Sequence, residues 1–118
     1  MSASTPEGKV KAKIDVILKP YKASGQLWYF KPSASQFGRA GVPDYVCNLQ
    51  ALYYGDPHEP PSRDGRSIFF TIEAKAGKGK PSDLQNAQME AIEKSGGICL
   101  VINETNLSEL EEFLRAHS

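Results

Sequence analysis

Ser67-Ile68-Phe69-Phe70-Thr71-Ile72-Glu73-Ala74-Lys75 is an apolar run that ends on an acid and a base. Its β-branched and aromatic residues predict a strand, bounded upstream by turn material at Pro60-Pro61 through Asp64-Gly65. Strand side chains alternate between faces. Ile68, Phe70, Ile72 and Ala74 therefore point one way, while Glu73 and Lys75 point the other, together. Glu-x-Lys at a strand end is common on solvated faces, but charges that follow a buried central strand are harder to dismiss as decoration. Upstream, Gly41-Val42-Pro43-Asp44 leads into a second predicted strand, Tyr45 to Tyr54, with Gly55-Asp56-Pro57 as a turn beyond it. Asp44 lies 29 residues before Glu73. A hairpin centred near residues 59 and 60 would set Asp44 opposite the Glu73–Lys75 end, so that all three share one face.

Charge explains why such a trio matters. A hard divalent cation such as Mg²⁺ takes oxygen ligands, keeps several waters and is usually held by one or two carboxylates. It acidifies bound water and neutralises charge on phosphoryl oxygens. A lysine beside it can orient the attacking water or stabilise the transition state. The composition suits metal-assisted phosphodiester hydrolysis.

The order Gly-Val-Pro-Asp, strand, Glu-Ala-Lys, then Pro81-Ser82-Asp83-Leu84-Gln85, a helix, and Gly96-Gly97 before an apolar strand resembles the VRR-NUC domain. That domain is a branch of the PD-(D/E)xK nuclease superfamily and is related to archaeal-type Holliday junction resolvases. The resemblance spans roughly residues 5 to 103. It implies a restriction-endonuclease-like α/β fold, with an αβββαβ core and a central mixed sheet flanked by helices. It also implies a Mg²⁺-dependent nuclease, with Mn²⁺ as substitute. By position, Asp44 and Glu73 become metal ligands, the Ala74 backbone carbonyl a further ligand, Lys75 the catalytic lysine and Gln85 a helix-borne polar residue at the site. Lacking the extra DNA-binding domains of larger members, the chain is similar to the stand-alone form of phages and bacteria.

The remaining elements fit around this unit. Thr5 as N-cap and Pro6 at the first helical position open a helix to about Lys22, with an apolar line of Val10, Ile14, Ile17/Leu18 and Tyr21. Glu7 falls on that line. The resemblance suggests an outer-shell metal ligand there, acting directly or through water. Favourable charge at a helix N-terminus, or a Ser4-x-x-Glu7 capping box, explains it equally well. Leu27 to Lys31 is a short aromatic strand, with at least one of Trp28 and Tyr29 expected in the core. The loop of Ser33, Ser35, Gln36, Gly38 and Arg39 would let backbone approach a phosphate. Ser82 with Gln85 forms a capping box for a helix to Ser95, which gives Gln85 a purely structural explanation and leaves Gln88 as the alternative site glutamine. Leu84, Ala91 and Ile92 form the predicted apolar line of that helix. Ile98 to Ile102 reads as a strand covered on both faces, reached by a right-handed crossover. An additional C-terminal helix, Leu107 to Arg115, carries the acidic face of Glu109, Glu111 and Glu112.

Composition bounds the rest. The 118 residues suit one domain, 1–118. No apolar run approaches membrane length and residues 1–13 are too polar for a signal peptide, so a cytoplasmic protein is expected (host cytoplasm if phage-encoded). Cys47 and Cys99 read as reduced core residues. Net charge is zero, but residues 1–80 hold 12 Lys/Arg against 7 Asp/Glu, and residues 81–118 hold 2 against 7. That split of +5 and −5 suggests a basic face for a polyanion, with Lys9, Lys11, Lys13, Ser35, Arg39, Lys78 and Lys80 as DNA contacts. DNA is the expected partner, as four-way junctions or other branched forms. A homodimer would supply two sites through a two-fold axis, with Tyr53-Tyr54 as interface candidates. Two alternatives remain open at this level: a catalytically inactive DNA-binding module of the same fold, and a sequence-specific restriction-type nuclease.

Overall fold

Thr5 starts the first helix as its sequence requires, because its side-chain oxygen accepts the Gly8 N–H at 2.9 Å and Pro6 occupies a position whose N–H has no helical partner. In the computed structural model, which describes residues 5–33, 41–52, 55–62 and 65–118, this helix is α1, Pro6–Ala23. There follow β1 (Leu27–Phe30), β2 (Tyr45–Gln50), β3 (Ser67–Ala74), α2 (Asp83–Lys94), β4 (Ile98–Ile102) and α3 (Leu107–His117). The strands form one mixed sheet in the order β1-β2-β3-β4, with the first three antiparallel and β4 parallel to β3. This is the α/β architecture expected from the sequence: αβββαβ with an added C-terminal helix. No helix among the described residues is long and apolar enough to cross a membrane.

Register fixes which side chains share a face. Leu27↔Leu49, Tyr29↔Cys47, Cys47↔Phe70 and Ile72↔Leu100 line the inner face, against which α1 and α3 pack. Val10, Ile14 and Leu18 of α1, with Leu110 and Leu114 of α3, are buried there beside Tyr45, Leu49, Phe70 and Ile72. Each such side chain contributes about 1.5–3 kcal/mol when fully buried. Phe113 of α3 meets Phe70 edge-on at 4.8 Å between ring centroids.

The opposite face is covered only in part, because α2 packs against β4. Gly97, just before β4, is what lets the end of α2 close on the sheet. A Cβ there would lie 2.7 Å from Ile92 Cγ2 and 2.9 Å from Phe69 Cδ2.

Several elements differ from expectation for identifiable reasons. β2 stops at Gln50 rather than Tyr54. The Ala51 N–H still reaches Arg66 O, but the Leu52 N–H points to His117 O at the end of α3, so the chain leaves the ladder there. Tyr53 and Tyr54 lie outside the described residues. Tyr45 pairs with Ile72, which centres the hairpin one residue earlier than expected. The register therefore moves by two, and every side chain keeps its face. The apolar line proposed for α2 is displaced, since Leu84 is 58% exposed and Ala91 is exposed. Gln85, Gln88, Met89 and Ile92 form the half-buried stripe instead. β4 is an edge strand, so only Ile102 is fully buried, and double coverage fails. Cys47 is a buried free thiol, whereas Cys99 is half-buried and donates to Met89 O.

Candidate metal centre

Three elements bring three carboxylates together at one end of the sheet. Glu7 stands in the first turn of α1, Asp44 immediately before β2 and Glu73 one residue from the end of β3. One oxygen from each lies within 4.8 Å of the others. Asp44 is held where the β2–β3 ladder ends: its Oδ2 accepts the Ala74 N–H at 2.8 Å. Its Oδ1 lies 3.3 Å from Lys11 Nζ. Glu73 is 3% exposed, and its Oε1 accepts from Gln85 Nε2 at 2.8 Å, with Lys75 Nζ 3.9 Å away.

Gln85 does two jobs with one amide. Its Oε1 accepts the Ser82 N–H at 2.8 Å and its own N–H bonds Ser82 Oγ at 3.1 Å, completing the capping box. The amide nitrogen is thereby aimed at Glu73. Capping and site are thus not competing explanations for Gln85. It is this residue, rather than Gln88 one turn on, that reaches the cluster. Gly41 makes the approach possible, because it has φ +86° and a Cβ there would sit 2.7 Å from Leu84 O in the first turn of α2.

Burial pushes the Glu73 carboxyl well above the ordinary carboxylate range. A hydrogen bond with Asp44, the charge of Asp44 and the charge of Glu7 push the same way, and Lys75 opposes them. Behind Asp44, the buried Tyr45 hydroxyl donates to Asp15 Oδ1 at 2.8 Å, with Lys11 O 3.1 Å away. Burial and then this hydrogen bond raise the Tyr45 pKa, so the phenol stays neutral. Lys31 pairs with Asp15 at 2.7 Å and lies over the Tyr45 ring. Lys11 and Asp15 along α1 thus lock the helix to the start of β2.

The donor set fits a hard divalent cation. It is made of carboxylate oxygens only, contributed by separate elements, and crowded to a degree that costs energy without a positive charge between them. Glu7, Asp44 and Glu73 are the residues that could hold such an ion. Ala74 is seen here through its N–H, which orients Asp44.

Glu7, Asp44, Glu73, Lys75 and Gln85 therefore converge as the sequence led one to expect. Lys75 and Lys80 line an open groove of about 550 Å³ with Thr5, Glu7 and Gly79 beside the cluster. Lys9 and Lys13 line a neighbouring hollow with Glu104, and Lys78 is exposed in the β3–α2 loop. Lys11 departs from its expected place as a phosphate contact, because it sits against Asp44. Ser35 and Arg39 lie outside the described residues. No family model matches the chain, and neither a curated protein nor a solved structure matches it with significance.

Proposed function

We propose that the chain is a divalent-metal-dependent endonuclease that hydrolyses phosphodiester bonds in DNA. The supporting observation is the convergence of Glu7, Asp44 and Glu73 from three elements beside Lys75, with Gln85 fixing Glu73. The motif order that resembles the VRR-NUC domain supports the same reading. It further suggests branched DNA, such as four-way junctions, as substrate and a homodimer as the working form.

Mg²⁺ or Mn²⁺ at these carboxylates would supply an acidified water and a positive charge for the phosphoryl oxygens. The chain's own residues do the rest. The Ala74 N–H and Lys11 hold the two oxygens of Asp44, so that carboxylate meets the site in one orientation. The Gln85 amide does the same for Glu73. Lys75 is 17% exposed at its side chain and lines the groove, where its ammonium can hold a water or a phosphate oxygen. Lys80 adds a second positive group on the wall of that groove. A polyanion entering there meets these two lysines beside Glu7.

The test is incubation of purified protein with labelled linear, flapped and four-way DNA in Mg²⁺, Mn²⁺ or EDTA. Metal-dependent strand scission, strongest on branched forms, is the expected result. Absence of cleavage on every form in both metals would overturn the proposal.

A further inference from the structure

The outer face of β1–β3 carries two exposed aromatic side chains, Trp28 and Phe69. Register puts Trp28, Asn48 and Phe69 on one rung across three strands, and Phe30, Val46 and Thr71 on the next rung toward the cluster. Trp28 is 61% exposed and Phe69 44%. The Trp28 and Phe30 rings stand 5.4 Å apart, tilted at 56°. Strands are spaced about 4.8 Å, so the two outer aromatics of the first rung flank Asn48 at roughly 10 Å from each other. A hollow of about 260 Å³ beside Trp28 is lined by Asn48, Gln50, Arg66 and Ser67. Thr71 and Glu73 are two residues apart on the same face of β3, about 7 Å along the strand. The exposed pair Trp28 and Phe69 is thus one rung, that of Phe30, Val46 and the buried Thr71, away from the candidate metal centre.

We infer that this face is a stacking platform for unpaired bases of a DNA strand whose backbone reaches the Glu7–Asp44–Glu73 cluster. This rests on the nuclease reading and names the form of substrate that the site takes. Bases stack on aromatic faces irrespective of sequence, and an open sheet with aromatics on neighbouring strands is a surface on which splayed nucleotides lie. The amide of Asn48 between the rings offers donors and acceptors to base edges. Charge favours the same occupant. Among the described residues of the β1–β3 outer face and the hollow beside it, Arg66 is the one charged side chain before Glu73. Among the described residues of this face, a polyanion thus meets no carboxylate until it reaches the site.

Trp28 is the chain's single tryptophan, so its emission reports on this face alone. In EDTA, labelled single-stranded DNA should quench that emission as anisotropy rises. An abasic strand of equal length and charge should bind more weakly. Trp28→Ala should weaken binding of the base-bearing strand about 5- to 100-fold, while Trp28→Tyr should restore most of it. Binding without quenching, equal binding of the abasic strand, or no binding of single strands would overturn the inference. So would emission and light-scattering mass that change together with protein concentration alone, because a second copy would then cover the face. Cleavage in Mg²⁺, scored on the same preparation, separates the two readings. Cleavage with unquenched Trp28 removes the platform only, whereas quenching without cleavage supports the platform and removes the nuclease.

Discussion

Glu73→Gln should make the metal-free protein more stable at pH 8 while destroying its metal site. Glu73 is almost fully buried, with carboxylate oxygens of Asp44 and Glu7 no more than 4.8 Å away. Two unit charges at that distance repel by about 3.5 kcal/mol at an effective dielectric of about 20. Lys75 Nζ, 3.9 Å from Glu73 Oε1, returns about 4 kcal/mol on the same scale. The two repulsions outweigh the one attraction by roughly 3 kcal/mol, and solvent around the half-exposed Glu7 and Asp44 cuts that to about 1–2 kcal/mol. The introduced amide can keep the Gln85 hydrogen bond through its oxygen and donate to Asp44 through its nitrogen, without charge. The pH dependence has a definite sign. Burial first, and then Asp44 and Glu7, push the folded Glu73 pKa above its ordinary 4.5, so in the window above 4.5 the native state holds a proton that the unfolded chain has lost. Parent stability must therefore fall as pH rises through that window. Urea unfolding in EDTA should show parent and variant equal near pH 5, with the variant about 1–2 kcal/mol ahead at pH 8. Added Mg²⁺ should stabilise the parent and leave the variant unmoved. A variant less stable than the parent at both pH values would refute the idea that carboxylate crowding is costly here.

Gln85→Ala removes both the capping box and the Glu73 hydrogen bond. It should cost about 1–2 kcal/mol in thermal or urea unfolding and also weaken Mn²⁺ binding by calorimetry. Lys75→Ala should bind Mn²⁺ nearly as the parent does but lose roughly 100-fold or more in cleavage rate. A tenfold loss of metal affinity, about 1.4 kcal/mol, would instead make Lys75 a structural partner of Glu73. Reversing charge at Lys78 and Lys80 should weaken DNA binding at all sequences and flatten its salt dependence, whereas reversal at Glu111 and Glu112 should do neither.

Legibility in the sequence followed the range of the interactions. Thr5-Pro6 and Ser82 with Gln85 are local signals, and both helices start where those residues place them. Period-two alternation put Glu73 on one face of β3, and a turn-rich segment returned Asp44 beside it, so the heart of the cluster could be read without coordinates. What could not be read depended on packing between elements distant in the chain. Lys11 looked like one of several solvent-facing lysines until α1 lay across the start of β2 and set it on Asp44. Alternation showed that Trp28 and Tyr29 must face opposite ways, and Tyr29 packs against Tyr45 as one of the two had to. Alternation does not say which face stays open. That depends on α2 covering β4 and stopping short of β1 and β2. The same shortfall left Leu84 exposed, because an apolar residue in the first turn of a helix resting on an edge strand has little to bury against.

The most direct measurement is the initial rate of cleavage of a labelled branched DNA as Mg²⁺ is titrated in, with the parent, Asp44→Ala and Glu73→Ala side by side. The parent rate should rise from zero in EDTA to a plateau, and both variants should stay at the EDTA baseline while remaining folded. Cleavage by either folded variant at the parent rate, or a parent rate indifferent to Mg²⁺, would contradict the assignment of this cluster as a metal-dependent nuclease centre.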